Sequence, residues 1–171
     1  GIFTLSMDLR NNSSQPAQLT ALYELLDREG KVVATSSEQI HLKAGGVETV
    51  NFQKTLPDVR TWTSEDPQLY QLLMTLQKAG QTIEIVPFPV GFRKFEIRQI
   101  AEKDANGHPY SVFMVNGQPI KLKGVNIHEH NPLTGHYVTE ELMRKDFELM
   151  KQNNLNSVRL CHYPQSRRFY E

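Results

Sequence analysis

The stretch IKLKGVNIHEHNPLTGHYVTEELMRKDFELMKQNNLNSVRLCHYP, residues 120–164, decides the fold of the second half of this chain. Its first part alternates polar and apolar residues, which is typical of a strand. After a loop, a helix is predicted from Thr139, a good N-cap residue, to the pair Asn153 and Asn154, which is a plausible stop. LNSVRLCHYP then reads as a second strand that Pro164 ends. The order strand, loop, helix and strand predicts a β-α-β unit with parallel strands.

The first 90 or so residues carry a different pattern. FTLSMDLRN alternates apolar and polar residues, as a half-buried strand does. About seven such runs follow one another at the spacing of an antiparallel sandwich, separated by polar turns. LTALYELLD could form a helix by itself, but among hairpins it is predicted to be a strand. In VETVNFQKTL the apolar residues change from an odd position, Val47, to even positions from Val50 onward, and this slip of parity predicts a β-bulge.

These two patterns predict two domains. Residues 1–92 would form a β-sandwich, and residues 93–171 would be the beginning of a larger α/β domain. The end of the chain, SRRFYE, looks like the start of a further helix. A single β-α-β unit leaves the edges of its parallel strands unpaired. We therefore expect the chain to be a fragment of a longer protein.

Composition excludes several classes of partner. Lysine and arginine number 19, and aspartate and glutamate also number 19, so the chain has no electrostatic footprint for nucleic acid or an anionic membrane. No apolar run approaches the roughly 20 residues that span a bilayer. No secretory leader opens the sequence at Gly1, which leaves cytoplasm and periplasm both open. Cys161 is the single cysteine, so no disulfide forms within the chain.

Four blocks, in order, resemble the bacterial β-galactosidases of glycoside hydrolase family 2. They are SEDPQLYQLLMTL, PVGFRKFEI, FMVNGQPIKLKGVNIHEHNPLTG and MKQNNLNSVRLCHYP. The resemblance covers almost the whole chain. It implies a mainly β fold, with an immunoglobulin-like antiparallel β-sandwich followed by the first β-α-β portion of a truncated (β/α)8 TIM barrel. GVNIHEHNP would end the first barrel strand, and NSVRLCHYP would form the second.

The resemblance implies an activity for the parent protein. Family members of this kind hydrolyse terminal β-D-galactosides with retention, which requires two carboxyl groups about 5–5.5 Å apart. Both catalytic glutamates belong to later barrel strands, so no residue of this chain is expected to be the acid/base or the nucleophile. The 171 residues alone are expected to be inactive. Magnesium ligands are also expected later in the full-length enzyme, and the sandwich could contribute to a homo-oligomer contact.

The same resemblance implies four substrate-binding residues. His128 matches the histidine of the sugar subsite, and Asn126 precedes it in the same motif, where a purely structural hydrogen bond is as good an interpretation. Arg159 and His162 belong to the second motif. Arg159 would lie near the nucleophilic carboxylate and keep it ionised, as a nearby positive charge does. His162 would contact sugar hydroxyls.

The motif His128-Glu129-His130 also raises the question of a metal. On a strand, the two histidines would point to one side and Glu129 to the other. Two histidines at this spacing can bind zinc, but no cysteine or further histidine lies at ligand spacing. No metal site is therefore predicted within the chain, and His130 and Glu129 are interpreted as structural.

Two alternatives stay open. Another family 2 exo-β-glycosidase, a β-glucuronidase or a β-mannosidase, would share most of these motifs, although HEHNPLTG favours the galactosidase branch. Ile127 and Cys161 depart from the common pattern and border the pocket, so they bear on which sugar is bound. The other alternative is a non-catalytic β-sandwich module that binds carbohydrate or acts as a scaffold.

Overall fold

Six antiparallel strands form the first part of the chain in the computed structural model, which describes residues 1–171. They are β1 (Ile2–Arg10), β2 (Ala17–Leu26), β3 (Val32–Leu42), β4 (Val47–Thr55), β5 (Tyr70–Lys78) and β6 (Gln81–Val90). One sheet pairs β1 with β4, and the other has the order β3-β2-β5-β6. The segment LTALYELLD is strand in β2, as predicted, and the total is one strand fewer than predicted.

The two sheets bury one shared apolar core, which makes them a sandwich. The alternation of β1 places Phe3, Met7 and Leu9 in that core. On β2, the Tyr23 ring lies with its centroid 5.2 Å from that of Phe3 and 5.1 Å from that of Phe52 on β4. Tyr23 is 1% exposed, and burial raises the pKa of its hydroxyl. Core aromatic rings from both sheets therefore lock the layers together.

The predicted bulge in β4 is wrong. Pairing between β1 and β4 runs without interruption from Ile2 opposite Thr55 to Arg10 opposite Val47. Val47 lies at the exposed end of β4, so its side chain does not take part in the buried alternation of Val50 and Phe52. The slip of parity reflects an exposed valine at a strand end. The irregular pairings occur in β2 and β5 instead.

Strand β6 is an edge of the four-stranded sheet and differs from the other strands in two ways. It exposes several large apolar side chains, among them Ile85 and Phe88. It also contains Pro87 and Pro89, which pair with Leu73 and Gln71 of β5 and lack backbone N–H groups.

Contacts divide the chain into two units. The first contains Gly1–Phe95 and Val115–Gly117, and the second contains Glu96–Met114 and Gln118–Glu171. The domain boundary between residues 92 and 93 remains a prediction. The single tryptophan, Trp62, belongs to the first unit, where its ring packs under the Arg93 guanidinium at 4.8 Å.

The rest of the chain mixes short strands and helices. The elements are β7 (Phe95–Lys103), β8 (Pro109–Val115), β9 (Gln118–Pro119), β10 (Gly124–Asn126), α1 (Glu140–Gln152), β11 (Ser157–Arg159) and α2 (Arg167–Tyr170). Strands β7, β8 and β9 form one sheet, and β10 pairs in parallel with β11. The sequence β10, α1, β11 is the predicted β-α-β unit, with strands shorter than the alternation suggested.

Helix α1 begins and ends where the sequence predicted. The Thr139 hydroxyl accepts a hydrogen bond from the Leu142 N–H at 3.3 Å, which satisfies one of the free donors of the first turn. Asn153 caps the other end, and Asn154 adopts a left-handed conformation with φ of 56°. Neither helix has the length and apolar character needed to cross a bilayer.

An ion-pair network joins α1 to α2, and it predicts that the stability of α2 depends on pH. Arg168 on α2 lies 2.9 Å from the Glu140 carboxylate and 2.6 Å from that of Glu171. Hydrogen bonds from Arg168 hold the pKa of both carboxyls below their usual range. Groups with a lowered pKa stabilise the fold above their unfolded-state pKa, and this contribution is lost as pH falls through the folded-state pKa. We expect Arg168→Gln to speed amide exchange in α2 at pH 7.

The control for this prediction is pH itself. At a pH below the folded-state pKa of the two carboxyls, wild type and Arg168→Gln should exchange at the same rate. Added salt at pH 7 should also reduce the difference, because the charges are exposed and screened. An undiminished difference in acid would show that Arg168 acts through packing and not through its charge.

Candidate functional site

The parallel pair β10 and β11 places the ends of two strands beside each other. Gly124 pairs with Ser157 and Asn126 with Arg159, and the Ile127 N–H donates to the Arg159 carbonyl at 3.0 Å just beyond the last pair. Side chains that follow parallel strands therefore emerge at one edge. This is the edge at which the residues predicted to bind substrate occur, and it is where barrel enzymes place their sites.

Two of the predicted residues come together at this edge. The rings of His128, after β10, and His162, after β11, have centroids 5.4 Å apart and planes inclined by 47°. Both side chains are exposed, so their remaining nitrogen atoms can reach a ligand. Neutral imidazole offers one donor and one acceptor, which suits hydroxyl groups.

The histidine motif is a turn and not the end of a strand. Strand β10 ends at Asn126, and the His130 N–H donates to the His128 carbonyl at 2.9 Å, across one intervening residue. The two histidines consequently face different neighbours, because the His128 ring contacts His162 and the His130 ring contacts His136 at 5.1 Å. Alternation holds only while the backbone is extended, so beyond Asn126 it does not govern these two side chains, and their common direction stays a prediction.

Arg159 and Asn126, the other two predicted residues, lie opposite each other in the paired strands. Arg159 is exposed, and its Nη1 lies 3.7 Å from Cys161 Sγ. Cys161 has a φ of 54°, a left-handed conformation that is uncommon for residues other than glycine. This turn redirects the chain directly after β11, before His162. Backbone strain of this kind clusters at functional sites, and here it occurs between two predicted site residues.

Two further residues hold the turn in place, and the sequence predicted a role for neither. The Tyr163 hydroxyl accepts a hydrogen bond from the Glu129 N–H at 3.0 Å and lies 3.5 Å from His128 Nδ1. The His136 Nδ1 lies 3.2 Å from the Glu129 carbonyl oxygen. Tyr163 was visible only as part of a motif, and His136 as part of a loop. Their contacts depend on the conformation of that loop, which no periodicity reports.

A small pocket of about 140 Å³ lies behind the turn, lined in part by Glu129, Asp146 and Gln165. Gln165 is 8% exposed, and its Nε2 is the buried side-chain nitrogen without a hydrogen-bond partner. An unsatisfied buried amide costs free energy. The pocket is large enough for a water molecule that could satisfy it.

The structure offers no set of ligands for a metal ion. No group of three or more histidine, cysteine, aspartate or glutamate side chains is placed to hold one. Magnesium prefers octahedral oxygen ligands, and the residues at this edge are mainly imidazoles. The residues present do not fit magnesium, and its use by a longer protein remains a prediction.

Comparison with known proteins defines the class. The sequence profile of "Glycosyl hydrolases family 2" matches residues 1–93, and that of "Glycosyl hydrolases family 2, TIM barrel domain" matches residues 109–171. The chain belongs to glycosyl hydrolase family 2. Its fold is that of the family, an immunoglobulin-like β-sandwich followed by the beginning of the TIM barrel.

The curated relatives that match the chain include proteins named beta-galactosidase. A beta-galactosidase of Halalkalibacterium halodurans is 35% identical over 172 residues, which are 100% of this chain and 15% of the relative. A beta-galactosidase of Streptococcus thermophilus is 42% identical over 113 residues, 66% of this chain and 10% of the relative. The chain thus spans between 10% and 16% of the length of the curated relatives that it matches.

Solved structures agree on the fold but carry two kinds of name. A candidate beta-galactosidase of Bacteroides fragilis superposes with a TM-score of 0.88 at 28% identity, covering 99% of this chain and 24% of the other. A beta-glucuronidase of Bacteroides uniformis gives a TM-score of 0.85 at 27% identity, covering 98% and 19%. The fold is therefore common to enzymes named for different sugars.

Proposed function

We propose that the whole protein is a retaining β-galactosidase that hydrolyses terminal β-D-galactosides. The observation that carries the proposal is the pair of exposed imidazoles, His128 and His162, whose centroids lie 5.4 Å apart beyond adjacent parallel strands. Support for galactose as the sugar comes from curated relatives named beta-galactosidase at 35–44% identity.

In this proposal His128 and His162 bind galactose hydroxyls by hydrogen bonds that strengthen in the transition state. Asn126 and Arg159, which lie opposite each other on β10 and β11, line the same substrate site. Arg159 is exposed at that edge and would lower the pKa of the nucleophilic carboxyl, which keeps it ionised. None of the four residues is the acid/base or the nucleophile.

The 171 residues alone should be inactive, because retention needs a second carboxyl about 5–5.5 Å from the first. Glu129 is not proposed as a catalytic carboxyl, since the resemblance assigns both catalytic glutamates to later barrel strands. A β-glucuronidase is the second candidate, because a structure of that name matches 98% of the chain.

The test is a substrate panel on the whole protein. We expect p-nitrophenyl β-galactoside to be hydrolysed faster than the β-glucuronide and the β-mannoside. His128→Ala and His162→Ala should each lower kcat/KM for the galactoside by about 10²–10³, the effect of losing one transition-state hydrogen bond. His108→Ala is the matched control, since His108 pairs with Asp104 in the turn before β8.

Each part of the proposal has its own contrary result. Faster turnover of the glucuronide or the mannoside would reassign the sugar. Variants of His128 and His162 that match His108→Ala would remove these residues from the site. Turnover of any of the three substrates by the pure 171-residue chain would refute the proposed inactivity.

A further inference from the structure

The Tyr163 hydroxyl links the two strand ends of the candidate site. Its oxygen accepts from the Glu129 N–H at 3.0 Å and lies 3.5 Å from His128 Nδ1. Its ring also packs on that of His128, with centroids 5.9 Å apart. Tyr163 therefore contacts both the backbone of the histidine turn and the ring that is proposed to bind sugar.

The hydrogen atoms at this position can be counted. A phenol has one O–H to donate and lone pairs with which to accept. The backbone N–H of Glu129 can only donate, so the phenol is the acceptor there and its own hydrogen is not used. That hydrogen is free to be donated to His128 Nδ1, which accepts only if the proton of the neutral ring is on Nε2. The distance is long, as is common before a ligand tightens a site.

His136 contacts the other backbone polar group of Glu129. Its Nδ1 lies 3.2 Å from the Glu129 carbonyl, which can only accept, so Nδ1 must carry the hydrogen. The N–H and the C=O of residue 129 are thus both bonded to side chains. The two neutral histidines are expected to hold opposite tautomers, His128 with Nε2–H and His136 with Nδ1–H.

We propose that Tyr163 is a positioning residue that holds neutral His128 in the Nε2–H tautomer. His128 then presents a hydrogen-bond donor, and not an acceptor, at the exposed edge. The site would select a ligand oxygen that accepts at this point, such as a sugar hydroxyl. The identity of that ligand rests on the proposed function, but the tautomer does not.

The test needs neither substrate nor activity. Long-range proton–nitrogen correlation spectra of the 171-residue chain labelled with ¹⁵N in histidine, recorded at about pH 8, where most imidazoles are neutral, assign the tautomer of each ring. Wild type should show His128 protonated on Nε2 and His136 on Nδ1. Tyr163→Phe keeps the ring and removes the hydroxyl, so the His128 signals should move to the average of two tautomers. His136 should not change.

Tyr110→Phe is the matched control, because that tyrosine is exposed on β8. It should leave all histidine signals unchanged. Wild-type His128 protonated on Nδ1, or a wild-type average equal to that of Tyr163→Phe, overturns the proposal. If Tyr163→Phe does not fold, wild-type His128 protonated on Nδ1 still overturns the proposal. If the galactoside is not the preferred substrate but the tautomers are as expected, the proposed substrate is refuted and the positioning role of Tyr163 is supported.

Discussion

Replacing Gly124 with alanine is expected to separate β10 from β11 and to disperse the candidate site. A Cβ at position 124 would lie 2.1 Å from Ser157 Oγ and 2.7 Å from the Ser157 carbonyl oxygen. The side chain could rotate away, but the carbonyl belongs to the paired backbone. Overpacking costs about 1–3 kcal/mol or more, and the pairing of these strands extends over three residue pairs. Amide exchange at Ile127, whose N–H donates to Arg159, should accelerate at least about tenfold, which corresponds to 1.4 kcal/mol.

Two variants separate the steric cause from other effects. Ser157→Gly in the Gly124→Ala background removes the Oγ contact and leaves the carbonyl contact, so rescue should be partial. Gly45→Ala adds backbone strain without a steric contact, since Gly45 has a φ of 66° and open space around it. Its effect should stay in the first unit. Unchanged exchange at Ile127 in Gly124→Ala would contradict the close packing of these strands.

Truncating Leu25 to alanine should be among the most costly single changes in the sandwich. Leu25 is fully buried, pairs with Ala34 and Leu72 on either side, and belongs to the shared core. Loss of a buried leucine side chain together with the cavity left behind typically costs about 2–5 kcal/mol. The fluorescence of Trp62 follows this unit, because it is the single tryptophan and lies in the same unit. We expect the urea midpoint to fall with little change in the m-value.

The control is an aliphatic residue of the same sheet that faces solvent. Ile83 on β6 is 56% exposed, so Ile83→Ala should change the free energy of unfolding by less than about 1 kcal/mol. Similar losses for the two variants would mean that Leu25 is not at the centre of the core.

Much of the fold is predictable from the sequence because burial imposes periodicity. The alternation in β1 and the Thr139 cap of α1 each correspond to one local physical cause, and each was predicted correctly. Strand length was not predictable in β10, where alternation continues through the histidine motif although pairing stops at Asn126. The pattern marks which residues could be extended. It does not report where a partner strand ends.

The site was predictable only in part, and for a different reason. His128 and His162 could be placed together because the ends of neighbouring parallel strands meet, given the resemblance that aligned them. Tyr163 and His136 act on the backbone of Glu129, and a backbone contact leaves no mark on residue type. The left-handed turn at Cys161 was equally hidden, since glycine or asparagine usually signals such a conformation.

The two prolines of β6 have a consequence for how the molecule behaves in a crowded solution. An exposed sheet edge with Ile85 and Phe88 beside it is a template on which another chain can add a strand. Continuous addition needs an alternating row of donors and acceptors, and Pro87 and Pro89 lack two of the donors that this strand would otherwise have. The edge can still accept hydrogen bonds but cannot return them at these positions. The edge strand with these exposed apolar side chains is therefore a poor template for the growth of fibrils.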